Sequence, residues 1–145
     1  MEHALFAYGS LMYPEIIEIV LGRSIADLEI CEAVLKGYRR VALDSVPYPS
    51  TIRDENAKID GVLIRGLGLH DISRLDMYED KHYARISTSV ETSDGIQNAD
   101  AYIDCRYPRT VREWDRKEWE QEYLSLFTKQ LRRHYASRPR GPQRD

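Results

Sequence analysis

The sequence has little cysteine, no long apolar run and no excess of positive charge, and each absence excludes a class of protein. Cys31 and Cys105 lie far apart, with no CxxC motif and no histidine pair nearby, so neither a zinc site nor a disulfide framework is expected. No window approaches the roughly 20 apolar residues of a membrane-spanning helix, so no membrane association is expected. The net charge of −3 argues against general nucleic-acid binding.

The composition indicates one globular domain. The chain has 145 residues, of which 42% are hydrophobic and 31% are charged, which suits a single domain with its own core. Its start, Met1-Glu2-His3, lacks the basic segment and apolar stretch of a secretion signal, so we expect a cytoplasmic location. We expect the domain to span residues 1–136. The remaining segment, SRPRGPQRD at 137–145, has the composition of a disordered tail.

Short apolar and alternating runs predict strands interleaved with helices. Strand patterns cover residues 5–8, 31–43 with a bend at Gly37, 60–67, 83–92 and 99–107. Two prolines argue against a central strand at 46–50. Helical spacing covers 14–21, 70–80 with Asp71 as N-cap, and one long C-terminal helix from an Asp115 N-cap to about Tyr135. The order predicts one mixed α+β domain whose strands form a small curled sheet or barrel.

The stretch Tyr8-Gly9-Ser10-Leu11 lies where the first predicted strand hands over to the first helix. It is no nucleophile elbow, because Met12 stands where the second glycine would be. It is no P-loop, because no GK[ST] follows. Glycine lets a ligand approach the backbone, so the N–H groups here can form an anion cradle. A simple tight turn remains the alternative.

An acidic run, DMYED at 76–80, lies at the C-terminal end of a predicted helix. The helix dipole disfavours carboxylates there, so we expect raised pKa values, and burial would raise them further. A glutamate such as Glu79 with a raised pKa would be an effective base near neutral pH. The alternative is a solvated acidic face. The four histidines show no metal-ligand spacing, so no metal is expected.

Together, these two motifs resemble those of a known family. FAYGSLM near the start and LDMYEDKHYAR about seventy residues later are similar to the γ-glutamylcyclotransferase-like superfamily. The YP at 48–49, Gly61 and the strand ending near Tyr102 also resemble it. The segment EWDRKEWEQEYLSLF looks like the tryptophan-bearing C-terminal helix of the plant AIG2-like branch. The resemblance covers residues 4 to about 128.

The resemblance implies a small β-barrel with flanking helices and an enzyme without a metal or organic cofactor. Its substrate would be a small γ-glutamyl compound. The free α-amine would attack the γ-carbonyl, giving 5-oxoproline and a released amine. Glu79 matches the catalytic acid/base. The loop formed by Tyr8, Gly9, Ser10 and Leu11 would supply donors to the substrate, and Tyr83 and Tyr102 would wall the cavity.

Two alternatives remain open at this stage. The chain could be a non-catalytic member of the fold that binds a ligand or a partner. It could also be an acyl-transfer enzyme that removes a γ-glutamyl protecting group in a biosynthetic pathway. The family commonly has glycine after the glutamate, whereas this sequence has Asp80. The leaving amine and the oligomeric state have no signature in the sequence.

Overall fold

The computed structural model describes residues 2–42, 49–79, 82–104 and 112–137, in which strands and helices alternate. The strands are β1 (His3–Ala7), β2 (Glu29–Ala42), β3 (Pro49–Leu67), β4 (Tyr83–Thr92), β5 (Gly95–Asp104) and β6 (Arg112–Glu113). The helices are α1 (Pro14–Leu21), α2 (Leu69–Tyr78), α3 (Arg116–Glu122) and α4 (Leu124–Ser137), and a short 3₁₀ turn covers Ser10–Met12. Within the described ranges, every helix is too short or too polar to cross a bilayer.

Five of the strands close into a small barrel. Neighbouring strands follow the order β3-β1-β5-β4-β2, and β2 pairs with β3 to complete the ring, while β6 pairs with β2 outside it. β1 runs parallel to β5, and the other pairs are antiparallel. The predicted α+β barrel with flanking helices is therefore confirmed. The carboxyl ends of β1 and β5 and the amino end of β4 lie together, and we call this the site end.

Two glycines allow the barrel to close. A β-carbon placed on Gly61 would lie 2.3 Å from the carbonyl oxygen of Ala7 and 2.8 Å from the Phe6 ring, so β3 approaches β1 there only without a side chain. Gly37 has φ +93 and lies at a register shift in the β2–β3 pairing. Glycine adopts this conformation without steric cost, and it produces the bend predicted at that position.

The core has two parts. Phe6, Leu35 and Leu63 pack inside the barrel. A second cluster lies between the barrel and the helices, where the buried face of α1 meets Trp119 of α3, which is 2% exposed. Trp119 stacks on Tyr13 with 5.4 Å between the ring centroids. Burial of such large rings supplies much of the hydrophobic stabilisation, and here it fastens the C-terminal helices to the barrel.

Two helix predictions are wrong in detail. Gly68 rather than Asp71 is the N-cap of α2, and the Asp71 carboxylate accepts the Gly68 N–H at 2.9 Å from the third helical position. The predicted single C-terminal helix is two helices, because Tyr123 leaves helical geometry with φ −122 and ψ −28. The predicted Asp115 N-cap is confirmed, since its side chain accepts the N–H groups of Lys117 and Glu118.

The third strand begins earlier than the sequence predicts. Pro49 and Ser50 open β3 opposite Ala42 and Val41, and the strand continues through 51–59, for which no strand was predicted. Proline is tolerated there because it is the first residue of the strand. Ser137, predicted to begin the tail, is the last residue of α4. Residues 46–48, 80, 105–107 and 138–145, on which further predictions fall, lie outside the described residues.

Candidate active site

The structure brings the predicted site residues to the site end of the barrel, where three tyrosines form its frame. The Tyr8 hydroxyl donates to the backbone carbonyl of Tyr102, joining the ends of β1 and β5. The Tyr102 hydroxyl donates to Asp76 Oδ1 at 2.6 Å, joining β5 to α2. The Tyr83 hydroxyl donates to the Pro49 carbonyl at 2.8 Å, joining β4 to β3. Each phenol proton is thus held by a protein acceptor.

The Tyr8 and Tyr102 phenols are neutral near physiological pH. Burial raises the pKa of Tyr8 well above its usual value, and the neighbouring Tyr83 and Glu79 raise it further. Burial also raises the pKa of Tyr102, helped by the bond to Asp76 and by the charge of Glu79. Neutral phenols are not bases. In both cases the charge of Glu79 contributes to the raised pKa.

Glu79 lies at the end of the short helix that the sequence predicts. It is the C-cap of α2, with extended geometry (φ −73, ψ 145), and its N–H donates to the Leu75 carbonyl at 3.1 Å. The amphipathic face of α2 buries Ile72 and Leu75 against the core, which presses the last turn of the helix against the barrel. Glu79 itself is half-buried. Glu79 is therefore partly shielded from water.

Asp76, in the same acidic run, has a different environment. Its carboxylate accepts the Tyr102 hydroxyl and the Arg85 Nε at 2.9 Å. Burial works against its ionised form, but the bonds from Arg85 and Tyr102 outweigh burial and hold its pKa below the usual aspartate value. The expectation that the helix end raises the pKa of its carboxylates is therefore wrong for Asp76. An engaged, ionised aspartate is a poor base, which leaves Glu79 as the candidate.

The loop after β1 offers backbone donors and is joined to the end of α2. The Ser10 hydroxyl lies 2.6 Å from the Tyr78 hydroxyl, which joins the loop to the last residue of α2. The N–H groups of Met12 and Tyr13 bond to the carbonyls of Gly9 and Ser10. By contrast, the N–H groups of residues 9–11 find no acceptor among the described residues. The Leu11 side chain is buried in the core, so this residue offers only its backbone.

Several side chains at the site end were not predicted. Asp104 is 6% exposed and accepts the Ser50 hydroxyl at 2.6 Å. Sequence alternation placed Asp104 on the same strand face as Tyr102, which was the only available signal for it. Tyr78 and Asp76 were visible in the acidic run but had no assigned partners. Within the described ranges, no group of His, Cys, Asp and Glu side chains has a metal-binding arrangement.

Comparisons with known proteins identify the family and the fold. The family model described as gamma-glutamyl cyclotransferase, AIG2-like, matches residues 5–121. AIG2-like protein B of Arabidopsis thaliana is 30% identical over 145 residues, covering 97% of this chain and 82% of the relative. A solution structure of an A. thaliana protein has a TM-score of 0.71 at 27% identity, covering 97% of this chain and 87% of that one. A solved gamma-glutamyl cyclotransferase has a TM-score of 0.61 at 14% identity, covering 90% and 86%, which shows a shared fold.

Proposed function

The chain belongs to the gamma-glutamyl cyclotransferase, AIG2-like family, and on that premise we propose that it cyclises a γ-glutamyl group to 5-oxoproline and releases an amine. The observation that carries the proposal is the position of Glu79. Glu79 is half-buried and directly follows the last turn of α2, which Asp76 joins to Tyr102 and Tyr78 joins to Ser10. The loop that holds Ser10 has backbone donors without an acceptor in the described residues.

The proposed reaction needs little more than positioning and one proton carrier. The substrate holds its own nucleophile, so the site must only favour the conformer in which the α-amine faces the γ-carbonyl. The α-nitrogen forms a bond to the γ-carbon, and the bond from that carbon to the leaving nitrogen breaks. On passing from ammonium to lactam the α-nitrogen gives up two protons, which Glu79 carries one after the other to the leaving nitrogen, so that the amine departs as an ammonium ion. The proton count balances without a cofactor.

The loop completes the proposed site. The γ-carbonyl oxygen gains negative charge as the ring closes, and the substrate carries an α-carboxylate throughout. Backbone N–H groups that are fixed before the substrate arrives stabilise such charges effectively. The donors of Gly9, Ser10 and Leu11 suit one or both roles. Tyr83 and Tyr102 form the walls, since their hydroxyl protons are committed to Pro49 and Asp76.

The test is product analysis with a panel of γ-glutamyl compounds. Purified protein is incubated with γ-glutamyl-alanine, glutathione and γ-glutamyl-ε-lysine, and 5-oxoproline, glutamate and the free amine are measured. We expect 5-oxoproline in amounts equal to the released amine for at least one compound. Glutamate in its place would indicate hydrolytic or acyl-transfer removal of the γ-glutamyl group. Binding of the compounds without any product would indicate a non-catalytic member of the fold.

A further inference from the structure

Arg40 of β2 lies behind the loop and contacts it through the backbone. Its Nη1 donates to the Tyr8 carbonyl at 2.9 Å and to the Asp60 carbonyl at 3.0 Å. Its Nη2 donates to Asp60 Oδ1 at 2.8 Å. The guanidinium also lies over the Trp114 ring, 4.9 Å from the centroid. With a side chain only 12% exposed, Arg40 is largely withdrawn from water.

Withdrawal from water destabilises the charged guanidinium of Arg40, so its hydrogen bonds to the protein have to offset that loss of solvation. Burial lowers the pKa of Arg40, and the charge and hydrogen bond of Asp60 oppose that effect. A guanidinium nevertheless stays protonated in proteins. Asp60 itself is well exposed. The planar, forked guanidinium of arginine is needed to bond to Asp60 and to the Tyr8 carbonyl at the same time.

The bond to Tyr8 fixes the direction of the next N–H group. The peptide unit between Tyr8 and Gly9 is planar and trans, so its C=O and N–H point in opposite directions. Because the carbonyl points at Arg40, the Gly9 N–H points away from it. That N–H is the first of the three successive loop donors without an acceptor in the described residues. Arg40 thus orients the donor and places a positive charge on the far side of the same peptide.

We propose that Arg40 is a positioning residue for carboxylate recognition, which it accomplishes through the Tyr8–Gly9 peptide without touching the ligand. The ligand class is an α-carboxylate of the glutamyl or 5-oxoprolyl type. This proposal rests on the proposed function and names a determinant of specificity for the same site. The positive charge of Arg40 polarises the Tyr8–Gly9 peptide and strengthens its N–H as a donor. The hydrogen bond from Arg40 to the Tyr8 carbonyl also stops the peptide from rotating.

The test compares two ligands that differ only in charge. 5-Oxoproline carries the carboxylate, and 5-oxoprolinamide replaces it with a neutral amide. Binding of each to the full chain is measured by calorimetry for the wild type, Arg40→Met and Arg40→Lys. Arg116→Met is the matched control, because Arg116 also approaches Asp60, at 3.5 Å, from a more exposed position. Thermal melting of every variant reports stability separately.

We expect the wild type and Arg116→Met to prefer 5-oxoproline by about tenfold or more, as for a charge-assisted hydrogen bond. Arg40→Met should lose most of this preference, and Arg40→Lys should lose part of it. A lowered melting temperature with an unchanged preference would overturn the proposal, because Arg40 would then be merely structural. If Arg40→Met does not fold, Arg40→Lys decides the question in the same way.

The wild type alone also tests the inference. Equal affinity for the acid and the amide would overturn the role of Arg40, whatever the variants do. The proposed function is judged separately by release of 5-oxoproline from γ-glutamyl substrates. Release of 5-oxoproline together with equal affinities for the acid and the amide would support the proposed function and overturn only the role of Arg40. Absence of both product and ligand binding would overturn the two together.

Discussion

The hydroxyl of Tyr102 donates to Asp76 Oδ1 at 2.6 Å and so fastens β5 to the last turn of α2, three residues before Glu79. Arg85 Nε donates to the same carboxylate oxygen at 2.9 Å, and its Nη1 donates to Asp100 at 2.9 Å. The helix end that carries Glu79 is therefore held by two strands. This clamp determines where the Glu79 side chain begins, although none of its members needs to touch a substrate.

We predict that Asp76→Asn lowers kcat for γ-glutamyl substrates and changes KM little. The amide keeps the size of the carboxylate but loses the charge-assisted bond to Arg85, so the last turn of α2 is held less firmly. Misplacement of a catalytic group by about 1 Å can cost roughly 10²-fold, so we expect a loss between tenfold and that limit. Steady-state kinetics measures it, with the exposed Asp94→Asn as control. Unchanged kcat in folded Asp76→Asn would contradict the clamp.

Glu79→Gln should remove turnover while preserving the fold. Glutamine has the shape of glutamate but carries no proton between the two amines, and general acid–base catalysis contributes about 10²–10⁴-fold. Release of 5-oxoproline and thermal melting are measured together. The exposed Glu55→Gln is the matched control and should behave as wild type. Activity within a few-fold of wild type in Glu79→Gln would exclude this residue as the proton carrier.

The parts of this molecule that the sequence predicts are those with local signals. The loop between β1 and α1, the α2 helix and the exact span of β4 follow from glycine placement, helical spacing and β-branched residues. The middle of β3 was missed because five of the seven residues 52–58 are polar and none is fully buried, so the alternation that marks a strand is absent. The break at Tyr123 was missed because helical spacing continues across it.

The side chains around the candidate site were harder to predict for a different reason. Arg40 meets Tyr8, and Ser50 meets Asp104, across long stretches of sequence. Nothing in a local pattern indicates which distant group a polar residue will face. Glu79 was predictable through a family motif, whereas its supports Asp76 and Arg85 form a pair only after α2 docks on the barrel. Positioning residues thus require the fold, while motif residues do not.

We predict that Gly61→Ala lowers the free energy of unfolding through a steric clash between β3 and β1, and not through a change at the site. The new β-carbon would lie 2.3 Å from the Ala7 carbonyl oxygen, a backbone atom that moves only with β1. Such overpacking typically costs about 1–3 kcal/mol, and backbone contact favours the upper end or more. Urea unfolding measures the loss. Gly68→Ala, whose β-carbon meets nothing nearer than 3.9 Å, should lose less. Equal losses would contradict the close approach of β3 and β1.

Acid should weaken the link between α1 and α2. Hydrogen bonds from Arg23 lower the pKa of Asp71 below 3.8, against the opposing effect of burial and with help from the Gly68 N–H. A carboxyl group whose pKa is lower in the folded than in the unfolded state stabilises the protein at pH values above its unfolded-state pKa. This stability is lost as the pH falls through the folded-state pKa. Asp71→Asn should therefore cost about 1.5–3 kcal/mol at pH 7. When free energies of unfolding are measured with urea, the difference between Asp71→Asn and wild type should be smaller below pH 3.8 than at pH 7. A difference that is the same at both pH values would contradict this account.

The last prediction separates cyclisation from hydrolysis through the substrate itself. Acetylation of the α-amine removes the nucleophile of the proposed reaction, so Nα-acetyl-γ-glutamyl-alanine should release no alanine above background. Changing the leaving amine of the free compound should instead alter the rate gradually, because one methylene in a pocket is worth only about 1–3 kcal/mol. The motifs mark the loop and Glu79 but mark no pocket for a particular amine. Both series are followed by amine release, with wild type and Glu79→Gln side by side.

Release from the acetylated compound at a comparable rate would refute intramolecular attack. The nucleophile would then be the Ser10 hydroxyl or a water activated by Glu79, and Ser10→Ala would distinguish these two, since only the first requires that hydroxyl.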